Sequence, residues 1–161
     1  MTLFVHLTSA KHQRHIRLTD LKAGDSRRGG PGLFALPVLP NYFASHQWMR
    51  ELRKWGSSLL VGVYFRIPDD DLVLVGRYNM PHQQMTVDQV AALLLNRDAA
   101  KSLGYEVIIP HSIAPEAIHR IRFLAKPLGW RHFPGAHGRR PCGCSWCSRG
   151  EYNSRRFRWT P

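Results

Sequence analysis

The sequence predicts an α+β domain, a β-sheet core with flanking helices, followed by a cysteine-bearing C-terminal extension. Three observations lead there. Short apolar runs with strand-like composition, such as Phe4-Val5-His6-Leu7-Thr8 and Tyr105-Glu106-Val107-Ile108-Ile109, alternate with segments of helical spacing. The apolar content of 43% over 161 residues is enough for one core. After Lys126 the composition changes to glycine, arginine and aromatic residues, and all three cysteines fall within positions 142–147. The expected division is therefore a core over 1–126 and an extension over 127–161 packed on it.

Taken in order, residues 2–7 read as a first strand. Ser9 is placed to cap a helix over about 10–18, which ends near Lys22-Ala23-Gly24. Residues 25–32, Asp-Ser-Arg-Arg-Gly-Gly-Pro-Gly, form a polar glycine-rich loop, and Leu33-Phe34-Ala35-Leu36 a second strand. Pro37 and Pro40 hold the next link extended. From Tyr42 to Trp55 the spacing of Phe43, Trp48 or Met49, and Leu52 predicts a helix. Residues 58–67 make a strong strand, and the Pro68-Asp69-Asp70-Asp71 turn suggests a hairpin with Leu72–Tyr78. Thr86 opens a helix to about Asn96, with Val87, Val90, Ala91 and Leu94 on its apolar face. Residues 105–110 form another strand. Pro115 begins a short helical turn, and Ile118, Ile121 and Leu124 are expected to pack on the sheet.

The charge is far from neutral. Lys plus Arg number 23 against 11 Asp plus Glu, a net charge of +12. Such a surface attracts polyanions, and DNA or RNA is the natural partner. The chain has no run long enough to span a membrane, and its first residues lack the pattern of a signal peptide. A cytoplasmic location is expected.

Two residues carry the chemical argument. His6 and Glu106 each interrupt an apolar strand-like run, where an unpaired polar side chain is costly to bury. A histidine and a carboxylate on facing strands suit a ribose: the imidazole holds a hydroxyl, and the carboxylate steadies developing positive charge on the sugar.

At these residues the chain resembles the ADP-ribosyltransferase fold, in its histidine–tyrosine–glutamate branch. His6-Leu7-Thr8 looks like the first-strand histidine motif. Gly32-Leu33-Phe34-Ala35 followed by Asn41-Tyr42-Phe43-Ala44-Ser45 looks like the second motif, a strand leading into an aromatic-bearing helix. Gly104-Tyr105-Glu106-Val107-Ile108-Ile109-Pro110 is similar to the catalytic-glutamate strand, especially in DNA-modifying toxins of the DarT kind. The resemblance covers roughly residues 3–124 and implies a split β-sheet core and transfer of ADP-ribose from NAD, as co-substrate, to an acceptor. It implies Glu106 as the stabilising and activating carboxylate and His6 as the ribose anchor. The Leu7 backbone would read the nicotinamide amide, with Thr8 in support.

Where relatives often place a stacking tyrosine, this chain has Leu33. Tyr42 is the best substitute, and Phe43 or Trp48 could also serve. Arg14, Arg27 and Arg28 are candidates for the pyrophosphate, since a guanidinium meets two phosphate oxygens at once. A toxin or defence role, with an antitoxin protein as partner, is plausible by the same resemblance.

A second constellation lies in the extension. His137, Cys142, Cys144 and Cys147 supply one imidazole and three thiols in eleven residues, a donor set suited to a structural zinc ion. His132 is the alternative fourth ligand. Around it, Arg139, Arg140, Arg149, Arg155, Arg156 and Arg158 mix with Trp146, Tyr152, Phe157 and Trp159, a pattern that suits single-stranded nucleic acid.

Two other functions fit the same residues. One is an NAD-dependent RNA 2′-phosphotransferase, which resembles the same fold and leans on arginines and a histidine in place of the glutamate. The other is a zinc-stabilised nucleic-acid-binding module without catalysis.

Overall fold

In a computed structural model, the described residues are 1–26, 30–53, 59–78, 80–95 and 102–124. They form a mixed α/β structure with few helices and a seven-strand sheet in the order β6-β5-β7-β3-β1-β4-β8. Its strands are β1 (Thr2–Ser9), β3 (Gly30–Pro37), β4 (Leu60–Ile67), β5 (Leu72–Arg77), β6 (Gln83–Thr86), β7 (Tyr105–Ile109) and β8 (Ile118–Leu124). A short β2 (Gly24–Ser26) pairs with β3, and every strand pair among the described residues is antiparallel. The helices are α1 (Gln13–Leu18), α2 (Tyr42–Ser45), α3 (Met49–Arg53) and α4 (Val87–Leu95).

Apolar runs explain the central strands. In β4 every residue but Arg66 is buried, as expected of a strand packed on both faces and paired on both edges. Along β1 the alternation divides the core in two. Phe4 packs with Val63, Phe65 and the Val87, Val90, Leu94 face of α4, whereas Val5 and Leu7 pack with Met49 and Tyr64.

The structure departs from the sequence reading in five places. The expected hairpin is not formed: β4 pairs with β1 and β8, β5 pairs with β6 and β7, and three strands separate them. The Pro68–Asp71 turn instead carries the chain from one half of the sheet to the other. Asp69 ties it to the Met1 ammonium and to the Thr2 hydroxyl at 2.7 Å. A turn signal specifies a reversal, not the partner of either strand.

Residues 118–124 form an edge strand after a 3-10 turn at Pro115–Ala117. The register against β4 shifts beside Tyr64 and Phe65, which leaves His119 as an extra residue. That bulge puts Ile118 and Ile121 on one face, opposite Phe65 and Val63, although they are three apart. These residues thus pack on the core as part of the sheet itself, in a strand with a bulge.

The helix expected over 42–55 is two short pieces. The break at 46–48 is where the Gln47 and Trp48 side chains leave to meet residues 102–105, as described below. The first helix is also shorter than expected. A 3-10 turn (Ala10–His12) precedes α1, and Ser9 makes no side-chain capping bond. Strands β2 and β3 also claim part of the expected glycine-rich loop.

Among the described residues, no helix is long and apolar enough to cross a membrane. The extension lies outside the described residues, and with it His132, His137, Cys142, Cys144, Cys147 and the surrounding arginines and aromatics. Arg27 and Arg28 also lie outside them.

Candidate active site

The site begins where two central strands part. β1 and β3 pair at Phe4 with Pro37 and Val5 with Leu36, and beyond Val5 no further pair is formed. Upstream, β3 turns its Leu33–Ala35 segment to β7 instead, and that ladder ends at Ala35 with Val107. His6 thus follows the last β1 pair, and Glu106 precedes the first β7 pair. A cleft of about 750 Å³ opens there, and both residues line it. That volume lies within the usual range of small-molecule sites.

His6 bridges the opening. Its Nδ1–H donates to the Phe34 carbonyl at 2.7 Å. A carbonyl only accepts, so Nδ1 carries the proton, and in the neutral ring Nε2 remains an acceptor. Burial pushes this imidazole below its ordinary value of 6.5 and outweighs the Phe34 carbonyl, which pulls the other way; nearby His12 adds to the lowering. The ring is thereby kept neutral at physiological pH.

Glu106 is 9% exposed, in a strand buried throughout. Across the β5–β7 ladder it faces Gly76, and the His82 Nε2 is 3.6 Å from its Oε2.

The α2–α3 corner forms another wall. Gln47 is fully buried and donates to the carbonyls of Ala44 and Ser102, each at 3.0 Å, while accepting from the Gly104 N–H at 2.5 Å. Trp48 Nε1–H donates to the Tyr105 carbonyl at 2.7 Å. Together these bonds fasten the corner to the chain that leads into Glu106. They also explain the broken helix, because a buried amide must satisfy its hydrogen bonds even where helix continuity is lost. Trp48 lines the cleft beside Tyr78, with ring centroids 5.4 Å apart and planes tilted by 51°.

Of the residues expected at the site, His6, Leu7, Trp48 and Glu106 line this cleft. Tyr42 does not. It is 46% exposed and stacks on His46 at 3.9 Å, nearly parallel at 14°. His46 in turn donates from Nδ1 to the Tyr42 carbonyl and accepts at Nε2 from the Tyr64 hydroxyl, at 3.0 and 2.9 Å. The Tyr42 ring lies on His46, and Trp48 and Tyr78 line the cleft. Thr8 pairs with Val61 in the sheet, and Arg14 is exposed on α1; neither is among the cleft-lining residues described. The Phe43 side chain lies outside the described residues.

Sequence reasoning missed Glu51, Tyr78 and His82. Glu51 and Tyr78 line the cleft. The signal for His82 was a glycine inside an apolar strand, Gly76, which marks a close approach. Among the described residues, no group of three or more His, Cys, Asp or Glu is placed to hold a metal ion.

No protein-family model matches the chain, and no curated protein or solved structure matches it either.

Proposed function

We propose that this protein transfers ADP-ribose from NAD to a nucleic-acid acceptor, DNA or RNA, with release of nicotinamide, on a split-sheet core of the ADP-ribosyltransferase kind. One observation carries the reading. His6 and Glu106, a hundred positions apart in the chain, line one cleft at the place where β1 and β3 separate.

NAD supplies a bond between nicotinamide and ribose whose cleavage leaves positive charge on the sugar. Glu106 is suited to stabilise that charge, and its carboxylate can take the proton that the acceptor loses on attack. His6, held neutral with Nε2 as acceptor, is suited to hold a ribose hydroxyl. The Leu7 backbone lies beside it. Trp48 and Tyr78 offer aromatic surface for the nicotinamide ring. The net charge of +12 favours an anionic acceptor. In the extension, His137, Cys142, Cys144 and Cys147 form the donor set for a structural zinc ion that roots an arginine-rich nucleic-acid surface.

The test is incubation with adenylate-labelled NAD and separate pools of DNA, RNA and protein. Label is expected in a nucleic-acid pool with matching nicotinamide release, and Glu106→Gln is expected to lower the rate by roughly 10²- to 10⁴-fold. Activity of Glu106→Gln on 2′-phosphorylated RNA would point to the phosphotransferase instead. Salt-sensitive binding with no nicotinamide release would point to a binding module.

A further inference from the structure

We infer that His82 is a positioning residue for Glu106, holding one carboxylate oxygen and so setting the angle at which the carboxylate meets the substrate. This rests on the functional reading of the cleft given above.

Three observations converge on it. The His82 Nε2 is 3.6 Å from Glu106 Oε2, and the His82 side chain is 16% exposed. That nitrogen is shut off from solvent and makes no hydrogen bond among the described residues. A sequestered imidazole nitrogen with a carboxylate as its near neighbour is poised for a short closure, and catalytic hydrogen bonds are often long until substrate binds. The third observation is Gly76, opposite Glu106 in the β5–β7 ladder. A Cβ there would come within 2.8 Å of the Pro81 carbonyl oxygen and 3.0 Å of His82 Cγ and Cδ2. The missing side chain at position 76 is what lets the imidazole lie over β5 and reach the carboxylate on the next strand.

A carboxylate only accepts, so closing this contact requires the proton on Nε2. The imidazole fixes the rotation of the Glu106 carboxylate and screens part of its charge, while the proton taken from the acceptor goes to the carboxylate itself. A misaimed carboxylate weakens stabilisation of the transition state more than binding of the donor. The loss therefore belongs in kcat.

The experiment measures nicotinamide release, KM for NAD and thermal stability in the full chain and in His82→Ala, His82→Gln, Gly76→Ala and Glu106→Gln. His82→Ala is expected to lower kcat by about 10- to 100-fold, with KM for NAD within about threefold. His82→Gln, whose amide N–H can still donate, should recover part of the loss. Gly76→Ala should reproduce the defect with the histidine present, because the new methyl displaces the ring. If His82→Ala fails to fold, the other two variants decide. An active wild type and inactive Glu106→Gln, alongside His82 and Gly76 variants that keep kcat within about twofold or lose only through KM, overturns this inference and leaves the functional reading standing. A wild type that releases no nicotinamide, or an active Glu106→Gln, overturns both.

Discussion

The His6 imidazole replaces a strand hydrogen bond. Its Nδ1–H reaches the Phe34 carbonyl at 2.7 Å, immediately beyond the last β1–β3 pair, Val5 with Leu36. One side chain therefore satisfies a carbonyl at the mouth of the cleft and fixes its own tautomer.

His6→Ala should remove both effects. Stability is expected to fall by about 1–2 kcal/mol, because the Phe34 carbonyl loses its partner. His6→Asn, whose amide can still donate to that carbonyl, should recover stability more than turnover. Urea denaturation and nicotinamide release, measured on both variants, separate the two roles; equal recovery of both would count against a ribose-anchoring Nε2.

Acid should destabilise the fold before its carboxylates titrate. Burial lowers the pKa of His6 and of His46 below 6.5. Below that value the unfolded chain binds protons that the folded chain refuses, so stability falls as pH drops through the window between 6.5 and the lowered folded values. Denaturant midpoints at about pH 7.5 and about pH 5.5 should differ in that sense, and His46→Gln should shrink the difference. A midpoint that rose on acidification would contradict it.

Gln47→Leu should be among the costlier substitutions outside the apolar core. It leaves the Ser102 carbonyl and the Gly104 N–H without the amide that serves both. A loss of about 2–4 kcal/mol is expected, read by chemical denaturation. Because the same bonds secure the approach to Glu106, turnover should fall even where the variant remains folded.

Trp48 joins a wall of the cleft to the strand that bears Glu106. Trp48→Phe keeps a ring but loses the bond to the Tyr105 carbonyl, whereas Trp48→Ala removes the surface beside Tyr78 as well. For Trp48→Ala, KM for NAD should rise by about 3- to 10-fold, the worth of one aromatic contact. Tyr42→Ala is expected to leave KM unchanged, since that ring lies on His46.

The extension should report on metal and nucleic acid together. Stoichiometric zinc is expected in the purified protein, lost in Cys142→Ser or on chelation. Nucleic-acid binding should weaken with it. Raising salt from about 50 to about 200 mM should cost roughly 10²-fold in affinity for about four phosphate contacts. Zinc-free protein with full affinity would separate the metal from the binding surface.

How much could be read in advance varied with the kind of information each residue carries. Phe4–Thr8, Leu60–Ile67 and Tyr105–Ile109 are legible as strands because burial on both faces demands continuous apolar residues. His6 and Glu106 stand out because they break those runs. The β4–β5 pairing was misread because a Pro-Asp turn records only a local reversal. Ile118 and Ile121 pack on the core as expected, but as members of an edge strand, because the bulge at His119 brings residues three apart to one face. The helix over 42–55 was read whole because spacing alone cannot reveal that Gln47 and Trp48 have partners near residue 105.

The amino-acid sequence alone carried the three central apolar strands, the two polar side chains that interrupt the first and the last of them, and the strongly basic composition; these follow from burial and charge, which are properties of composition along the chain. The assembled fold was needed to show that β1 and β3 part beyond Val5, that Trp48 and Tyr78 line the opening, and that His82 lies over Gly76 against Glu106. Those are relations between strands and loops distant in sequence. They are set by packing and hydrogen-bond satisfaction across the whole sheet, which no local pattern encodes.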